Sequence, residues 1–424
     1  MDHNIQKKVV LITSGQPSLN PRLVKEADIL ANSGFDVTVL YAYWNNWGTT
    51  YDNDLLSNKK WNAIRVGGDP MQKPFIYFIS RIIHKISSFI LQKTGRYKMF
   101  ADISVARCSY FLIREAKKHK PDLYIAHNLG ALPAAFKAAK KNGTAFGFDA
   151  EDFHRQEISN DTDSYHFKIT CYLENKYLPY ASYITASSPL IAEQYSTIYN
   201  REVTTLLNVF PKTNTVPPVA NKQKPLKLFW FSQTVGHSRG LELIIAAIGI
   251  SPNLSELHLL GNVSLDYKKQ LLLLAENNGV VADRIYFYEP IAPDAIFDLG
   301  AQFDIGLASE LTICLNRDIS LTNKIFTYVQ SGLVIAASNT RAQTGFIHKY
   351  PNIGFVYNDA NELAEALDRY DLDRELLQKT KAESLMLGET ELNWECESKK
   401  FIKVIENCFK QQKKDDYQSA GEVV

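Results

Sequence analysis

Residues 320–338 read SLTNKIFTYVQSGLVIAAS, which predicts a short helix, a glycine stop and a buried strand. Serine, threonine and asparagine suit the N-cap of the helix, and Gly332 suits its end. The next run, Leu333–Ala337, is continuously apolar, as is typical of a strand buried on both faces of a parallel sheet. The free amides of the helix N-terminus and the adjacent Lys324 predict an anion site, and we expect the anion to be a diphosphate.

Strands and helices alternate on both sides of this stretch along the whole chain. The predicted strands are Val9–Thr13, Asp36–Tyr43, Asp122–Ala126, Ala145–Asp149, Ser182–Ala186 and Val203–Asn208, then Leu226–Phe231, Glu256–Leu260, Arg284–Tyr288, Asp304–Ala308, Leu333–Ala337 and Gly354–Tyr357. The predicted helices in the first half include Pro21–Ser33, Ala101–Lys118, Leu132–Lys141 and Ser164–Leu178. Repeated strand–helix units imply parallel, doubly wound sheets. The predicted fold class is therefore α/β, with two Rossmann-like domains that face a cleft.

The domain boundaries follow from a change in composition. Residues 211–224 are rich in proline and lysine and have no periodicity, so we expect a linker there. It separates a first domain over 1–210 from a second over 225–392. A last helix over 393–412, expected to pack back towards the first domain, precedes a polar tail over 413–424.

Length and composition limit the class of protein. The 424 residues exceed one ordinary core, and the net charge of +1 gives no reason to expect nucleic-acid binding. The five cysteines form no CxxC pair, which indicates a reducing compartment and no structural zinc. The N-terminus lacks an apolar signal segment, and no segment reaches the roughly 18 apolar residues that span a bilayer. We therefore expect a cytoplasmic protein.

Several short motifs occur in a fixed order along the chain. They are Asn20–Arg22, Ala126–Asn128, Phe148–Phe153, Ala186–Ser188, Phe231–Glu242 and Asn323–Gly332. In order and spacing they resemble the GT-B glycosyltransferases of the retaining family four, over nearly the whole chain. The resemblance implies a metal-independent hexosyltransferase that moves a sugar from a UDP- or GDP-linked donor onto a saccharide or lipid-linked saccharide, with retention of configuration. The nucleotide sugar is then a substrate, and no cofactor is expected.

The resemblance also assigns candidate site residues. In the second, donor-side domain, the diphosphate is assigned to Arg239, Gly240, Asn323 and Lys324. The donor sugar or nucleoside is assigned to Glu310, Thr327 and Gly261. In the first, acceptor-side domain, the catalytic candidates are His127, Asp149, Glu151 and Asp152.

These residue types suit the chemistry, and each also has a plain alternative. A departing diphosphate must be neutralised, and charged hydrogen bonds contribute about 1.5–3 kcal/mol each. The alternative for Lys324 and Arg239 is that they are solvated surface cations. The alternative for His127 is a histidine bonded to a backbone carbonyl, and the alternative for the acids is that they cap helices.

The chain departs from the family pattern at its acidic positions. The family has two glutamates eight positions apart, and these fall on Ile319 and Thr327. Glu310 and Asp318 have the same spacing but precede the helix, so we interpret their spacing as a coincidence. A family arginine falls on Thr234. Loss of one ribose-binding glutamate leaves enough contacts for micromolar nucleotide binding, which needs about 8 kcal/mol.

Metal-dependent transferases of another fold hold a divalent ion with an Asp-x-Asp motif at a strand end. The chain has this pattern at Asp52–Asp54, Asp161–Asp163 and Asp371–Asp373. All three occur in polar, turn-like or helical surroundings, so we interpret them as solvated acids and expect no metal.

A second feature is an amphipathic basic segment over residues 75–98. Isoleucines and phenylalanines recur at helical spacing, and lysine, arginine, histidine and serine occupy the other positions. Such a helix suits the surface of an anionic membrane, and a lipid-carried acceptor would place the protein at the inner face of the membrane. The alternative is that the apolar stripe packs on the sheet of the first domain.

Two other functions remain open on the sequence. A catalytically silent paralogue that binds nucleotide or acts as a scaffold is favoured by the missing glutamates at 319 and 327. A nucleotide-sugar epimerase shares the two-domain plan. Incubation with a panel of nucleotide sugars distinguishes the three functions.

Overall fold

The structure is a computed structural model, and it describes residues 6–213 and 225–421, those from 413 onward by their backbone alone. The described residues form two compact units. The first comprises the residues up to Leu206 and those from Ser398 onward, and the second comprises Leu207–Glu397. Most of the predicted linker over 211–224, from residue 214 on, lies outside the described residues.

The first unit is built on a parallel sheet. Its strands in the described residues are β1 (Lys8–Thr13), β2 (Asp36–Ala42), β3 (Asn62–Val66), β4 (Leu123–His127), β5 (Ala145–Ala150), β6 (Tyr183–Ala186) and β7 (Thr204–Thr205). Their order across the sheet is β3-β2-β1-β4-β5-β6-β7, and every neighbouring pair is parallel. This order has the doubly wound form that the sequence predicts.

Helices follow the strands of the first unit. They are α1 (Pro21–Asn32), α2 (Asn46–Ser57), α3 (Pro74–Thr94), α4 (Tyr97–Ser104), α5 (Ser109–Ala116), α6 (Leu132–Asn142), α7 (Tyr165–Tyr177) and α8 (Pro189–Tyr199). The core of the unit includes strand residues such as Val9 and Ile125, together with Phe401, Ile405 and Cys408 from the last helix of the chain.

The second unit repeats the plan. Its strands are β8 (Lys227–Val235), β9 (Glu256–Val263), β10 (Ile285–Tyr288), β11 (Ile305–Ala308), β12 (Val334–Ser338) and β13 (Gly354–Tyr357), in the order β10-β9-β8-β11-β12-β13. Its helices are α9 (Leu241–Ile250), α10 (Leu265–Asn277), α11 (Ala295–Gly300), α12 (Leu315–Ile319), α13 (Asn323–Gln330), α14 (Arg341–Lys349), α15 (Ala360–Leu372) and α16 (Arg374–Thr390). Helix α17 (Trp394–Gly421) begins in this unit and continues into the first.

Each sheet has one place where the strand order reverses, and ligands of doubly wound folds bind beside that place at the carboxyl ends of the strands. In the first unit the reversal lies between β1 and β4, and His127 is the last residue of β4. In the second unit it lies between β8 and β11. The loop with Arg239 follows β8, and Glu310 follows β11.

Some predicted elements need correction. Strand β3 is missed by the sequence analysis, and the predicted strand over Val203–Asn208 is paired only at β7. The predicted helix Ala101–Lys118 is interrupted, because the Ser109 hydroxyl accepts a hydrogen bond from the Ala106 amide (3.1 Å) and competes with the helical pattern. Helix α17 continues to Gly421, beyond its predicted end at residue 412.

Helix α3 exposes the apolar side chains of the predicted amphipathic segment. Its buried residues are Ser80, Ser87 and Leu91. Phe75, Phe78, Ile86 and Phe89 are 75%, 63%, 55% and 63% exposed. The alternative that the stripe packs on the sheet is therefore wrong for these four residues, whereas Ile79, Ile83 and Ile90 of the same stripe are half-buried.

The length of α3 corrects another expectation. With 21 residues, a mean hydropathy of 1.2 and only 17% of the apolar window buried, it is long and apolar enough to cross a membrane by length and composition alone. The sequence analysis expected no such segment.

Candidate functional site

The candidate site of the second unit is centred on the buried carboxylate of Glu310. Lys324 Nζ lies 2.5 Å from Glu310 Oε1, and Arg317 Nη1 lies 3.2 Å from Oε2. The Glu310 amide donates to Ser338 Oγ at 2.8 Å, which fixes the residue at the end of its strand. Lys324 and Glu310 are only 7% and 5% exposed. One carboxylate thus faces two cations. Lys324 is buried and paired, so the alternative of a solvated surface lysine is wrong.

Arg239 and Gly240 lie beside Ser309, the residue that precedes Glu310. The Arg239 carbonyl accepts from Ser309 Oγ at 2.7 Å, and that hydroxyl accepts from Trp230 Nε1 at 3.0 Å. Lys324 Nζ lies 5.5 Å from the Trp230 ring centroid. Ser309, the residue before Glu310, is therefore bonded both to Trp230 on β8 and to the loop after β8. The sequence analysis did not name either of them, although both occupy strand or strand-end positions.

Gly240 has a conformation that other residues rarely adopt. It is the N-cap of helix α9, with φ of 75°, and a Cβ atom there would lie 3.2 Å from Ser309 Cβ. The glycine lets the backbone approach the end of β11 closely, and the amides of the α9 N-terminus follow it directly.

Burial lowers the pKa of Lys324 most, and the charges of Arg239 and Arg317 lower it further, against the opposing effect of Glu310. The charge of Arg239 is therefore close enough to Lys324 to act on its pKa. Two cations on one carboxylate leave an excess of positive charge, which suits an anionic ligand.

The remaining predicted donor residues occupy other positions. Asn323 Oδ1 accepts from Asn208 Nδ2 at 2.8 Å at the N-terminus of α13. Thr327 is 2% exposed, and its hydroxyl donates to the Asn323 carbonyl at 3.1 Å, so it is used within its own helix. At Gly261 (φ 143°), a Cβ atom would lie 2.1 Å from the carbonyl oxygen of Ser232. Strand pairing alone thus requires this glycine.

Glu310 and Asp318, the two acids with the spacing of the family glutamates, bind different partners. Asp318 accepts from the Arg341 amide at 2.9 Å and from Arg341 Nε at 2.5 Å, whereas Glu310 pairs with Lys324. Ile319 is fully buried. The interpretation of the spacing as a coincidence therefore agrees with the contacts.

The first unit contains a buried charge network around His127. Its Nε2 lies 3.1 Å from Glu26 Oε2, and its Nδ1 lies 3.1 Å from Glu151 Oε1 and 3.5 Å from Asp149 Oδ2. Arg22 Nη2 donates to Asp149 Oδ1 at 2.8 Å, and its Nε contacts the other oxygen of the same carboxylate. His127, Asp149, Arg22 and Glu26 are each at most 2% exposed.

This network holds His127 as a cation. Burial alone would lower the pKa of His127, but Glu26, Glu151 and Asp149 together raise it to about 10. Burial likewise opposes the charge on Asp149, but Arg22 and His127 lower its pKa overall. Carboxylates at both ring nitrogens therefore favour the protonated form of His127, and its role as a catalytic candidate stays a prediction. The alternative of a bond to a backbone carbonyl is wrong, because its partners are carboxylates.

Among the three predicted catalytic acids, Glu151 and Asp152 are the accessible ones. The Glu151 side chain is 24% exposed and accepts from Asn20 Nδ2 at 2.6 Å as well as contacting His127. Asp152 is half-buried. Asp149 is buried, with Thr185 Oγ1 as a further donor at 2.7 Å, so it positions other groups and meets no solvent. Of the predicted catalytic residues, Glu151 and Asp152 can contact an acceptor.

Ligand atoms of Glu26, His127 and Asp149 lie within 4.8 Å of one another, a spacing that a metal ion could use. Arg22 already binds Asp149 in two places, and its Nε lies 3.5 Å from Glu26 Oε1. The guanidinium thus supplies the positive charge that these carboxylates need, and we assign no metal to them.

Comparison with known proteins identifies the fold. No family model matches the sequence, and no curated protein matches it. HepE of Anabaena, solved in complex with UDP and glucose, is similar with a TM-score of 0.66 and 13% identity, over 95% of this chain and 100% of that one. Sucrose-phosphate synthase from Thermosynechococcus elongatus gives 0.67 and 14% over 96% and 100%. WaaG, a glycosyltransferase involved in lipopolysaccharide biosynthesis, gives 0.58 and 13% over 92% and 98%. The chain has the two-domain α/β fold of GT-B glycosyltransferases, and the predicted fold class is confirmed.

Proposed function

We propose that this chain is a glycosyltransferase that moves a sugar from a UDP- or GDP-linked donor to a saccharide or lipid-linked saccharide acceptor. One observation carries the proposal: Lys324 and Arg317 both contact the buried Glu310 carboxylate at the strand reversal of the second unit, and the Arg239 carbonyl is bonded to Ser309, the residue before Glu310. Structurally similar proteins include HepE, which was solved with UDP and glucose. The hexosyl group, retention of configuration and independence of metal belong to the proposal through the family resemblance.

The second unit supplies the chemistry at the leaving group. As the bond between sugar and diphosphate breaks, negative charge grows on the diphosphate oxygens. Lys324 and Arg239 offset that charge, together with the amides at the start of α9. Glu310 holds Lys324 in a fixed place, so little reorganisation is needed during the reaction.

The first unit supplies the acceptor side. We assign Glu151 to accept a hydrogen bond or the proton from the acceptor hydroxyl, with Asp152 beside it. The buried His127 cation and Asn20 fix the position of Glu151. His127 and Asp149 are then positioning residues, whereas the sequence analysis named them as catalytic.

The function is tested with a panel of UDP- and GDP-sugars. We expect calorimetry to detect binding of UDP or GDP, and slow hydrolysis of one nucleotide sugar without an acceptor. Nucleotide binding without any turnover would favour the silent paralogue that the missing glutamates at 319 and 327 suggest. A changed sugar attached to the nucleotide would favour the epimerase. No binding of either nucleotide would end the proposal.

Replacing Glu151 by glutamine should lower kcat about a hundredfold while leaving nucleotide affinity unchanged, because general acid–base groups contribute roughly 10²–10⁴-fold. Glutamine keeps the oxygen that accepts from Asn20. The matched control is Glu157→Gln, since Glu157 also contacts a buried histidine (His154 Nδ1, 2.9 Å) in the same unit. Equal kcat values for the wild type and Glu151→Gln would remove Glu151 from the reaction.

We also propose that the protein works at the cytoplasmic face of a membrane, which it contacts through α3. Residues 70–101 contain no acid, and the cations in this range are Lys73, Arg81, Lys85, Lys93, Arg96 and Lys98. Exposed phenylalanines on a helix flanked by basic residues suit the boundary between acyl chains and anionic headgroups. A lipid-linked acceptor would reach the protein there.

A further inference from the structure

An aromatic cluster follows strand β2 in the first unit. Trp44, Trp47 and Tyr51 are 44%, 50% and 38% exposed. Exposed aromatic side chains that gather at one place commonly mark a binding surface. We propose that these three rings form a platform that binds the sugar rings of the acceptor. This inference rests on the proposed function, because it names the acceptor's place on that enzyme.

Each of the three rings has a packing partner: Trp47 and Tyr51 pack on each other, and Trp44 packs on Arg107. The centroids of Trp47 and Tyr51 are 4.5 Å apart, and the planes are inclined by 48°. The guanidinium carbon of Arg107 lies 4.1 Å from the centroid of Trp44 and covers one part of that ring. Aromatic anchors of this kind bind with a small loss of conformational entropy.

Buried polar groups hold the loop that presents the rings. Gln16 is fully buried, and its Oε1 accepts from the amides of Trp44 (2.9 Å) and Asn45 (2.8 Å). Its Nε2 donates to Asp52 Oδ2 at 2.8 Å. Asp52 is only 2% exposed, so the interpretation of this aspartate as a solvated acid is wrong. A Cβ atom at Gly48 would lie 2.9 Å from Gln16 Oε1, so the helix start packs tightly on this glutamine.

The loop lies at the binding edge of its sheet. It follows the carboxyl end of β2, which pairs with β1, and β1 pairs with β4, whose last residue is His127. Asp52 also accepts from the Ser18 amide at 2.9 Å, so the loop after β1 and the aromatic loop are held together. The platform and Glu151 therefore follow strands of one sheet at the same edge.

A saccharide fits this surface better than a lipid does. Sugar rings have apolar C–H faces that pack on aromatic rings, and hydroxyl groups that need polar partners. Asn46, Thr50 and Asn53 are exposed among the aromatic residues. Residues 41–58 contain no lysine or arginine, in contrast to the basic residues around α3, and the guanidinium of Arg107 is already stacked on Trp44, so this segment itself offers anionic headgroups no counter-charge.

The test uses the full chain labelled with 5-fluorotryptophan. Fluorine NMR reports on its five tryptophans separately, once each resonance is assigned by a Trp→Phe variant. The probes are the methyl α- and β-pyranosides of glucose, galactose, mannose and N-acetylglucosamine. We expect at least one of them to shift the Trp44 and Trp47 resonances in a saturable way. Trp47→Ala should weaken that binding about tenfold, as expected for a central aromatic anchor.

Trp61→Phe is the control, because Trp61 is 6% exposed and bonds to Asp28, and it should leave the affinity unchanged. Shifts of no tryptophan, or equal shifts of Trp61 and Trp47, would overturn the platform. Phosphatidylglycerol vesicles that shift Trp47 when no pyranoside does would identify a lipid contact and overturn it too. No nucleotide is present, so failure here is separate from failure of the donor tests.

Discussion

Replacing Lys324 by alanine is expected to weaken UDP or GDP binding by roughly 10- to 100-fold and to remove measurable transfer, since a charged hydrogen bond contributes about 1.5–3 kcal/mol. The loss has two causes. The ammonium group that faces the diphosphate disappears, and Glu310 loses the partner 2.5 Å away. Its carboxylate then repels the diphosphate. Calorimetry with UDP and GDP measures the effect, and thermal unfolding confirms that the variant is folded.

A double variant separates the two causes. If repulsion by Glu310 contributes, Lys324→Ala combined with Glu310→Gln should bind nucleotide more tightly than Lys324→Ala alone. The chain also offers a matched control in Lys381, a lysine of the same unit that is 4% exposed and lies 3.2 Å from Asp304 Oδ1. Lys381→Ala should lower the melting temperature without changing nucleotide affinity. Normal nucleotide binding by a folded Lys324→Ala variant would place the donor site elsewhere.

Replacing Phe78 and Phe89 by aspartate should reduce binding to phosphatidylglycerol vesicles roughly a hundredfold or more. Each phenylalanine that leaves water contributes about 1.5–3 kcal/mol. Both side chains are 63% exposed, so the substitutions should not change the free energy of unfolding. Binding of the wild type should also fall with added salt and be weak on phosphatidylcholine, because the basic residues from Lys73 to Lys98 act only on anionic headgroups.

Two control variants fix the interpretation of the vesicle experiment. Leu91 lies on the same helix but is 1% exposed, so Leu91→Asp should unfold the first unit. Leu372 is 83% exposed in the second unit, and Leu372→Asp should leave vesicle binding unchanged. If the Phe78/Phe89 variant unfolds, the helix face belongs to a core. If the wild type ignores anionic vesicles, α3 has no membrane role.

The sequence predicted the elements around the candidate site best where local patterns alone determine structure. The apolar run before Ser338, the glycine stop at Gly332 and the polar helix start at Asn323 gave an element order that the structure confirms. Chain reversal in doubly wound folds then places Lys324 and Arg239 at one sheet edge. The burial of the first-unit acids was harder to predict, because Asp149 and Glu151 are only two residues apart in the sequence.

The sequence by itself determined the alternation of strands and helices, and therefore the two parallel sheets, since hydrophobic periodicity and turn residues act over a few neighbouring positions. Only the tertiary structure decided which charges are buried and with which partners. Arg22 meets Asp149 across 127 positions and pairs with its buried carboxylate, whereas the side chain of Glu151 stays 24% exposed. The exposure of α3 and of Trp47 was also decided by the tertiary structure. The sequence shows that these side chains are apolar, but their exposure depends on which of them the rest of the chain covers.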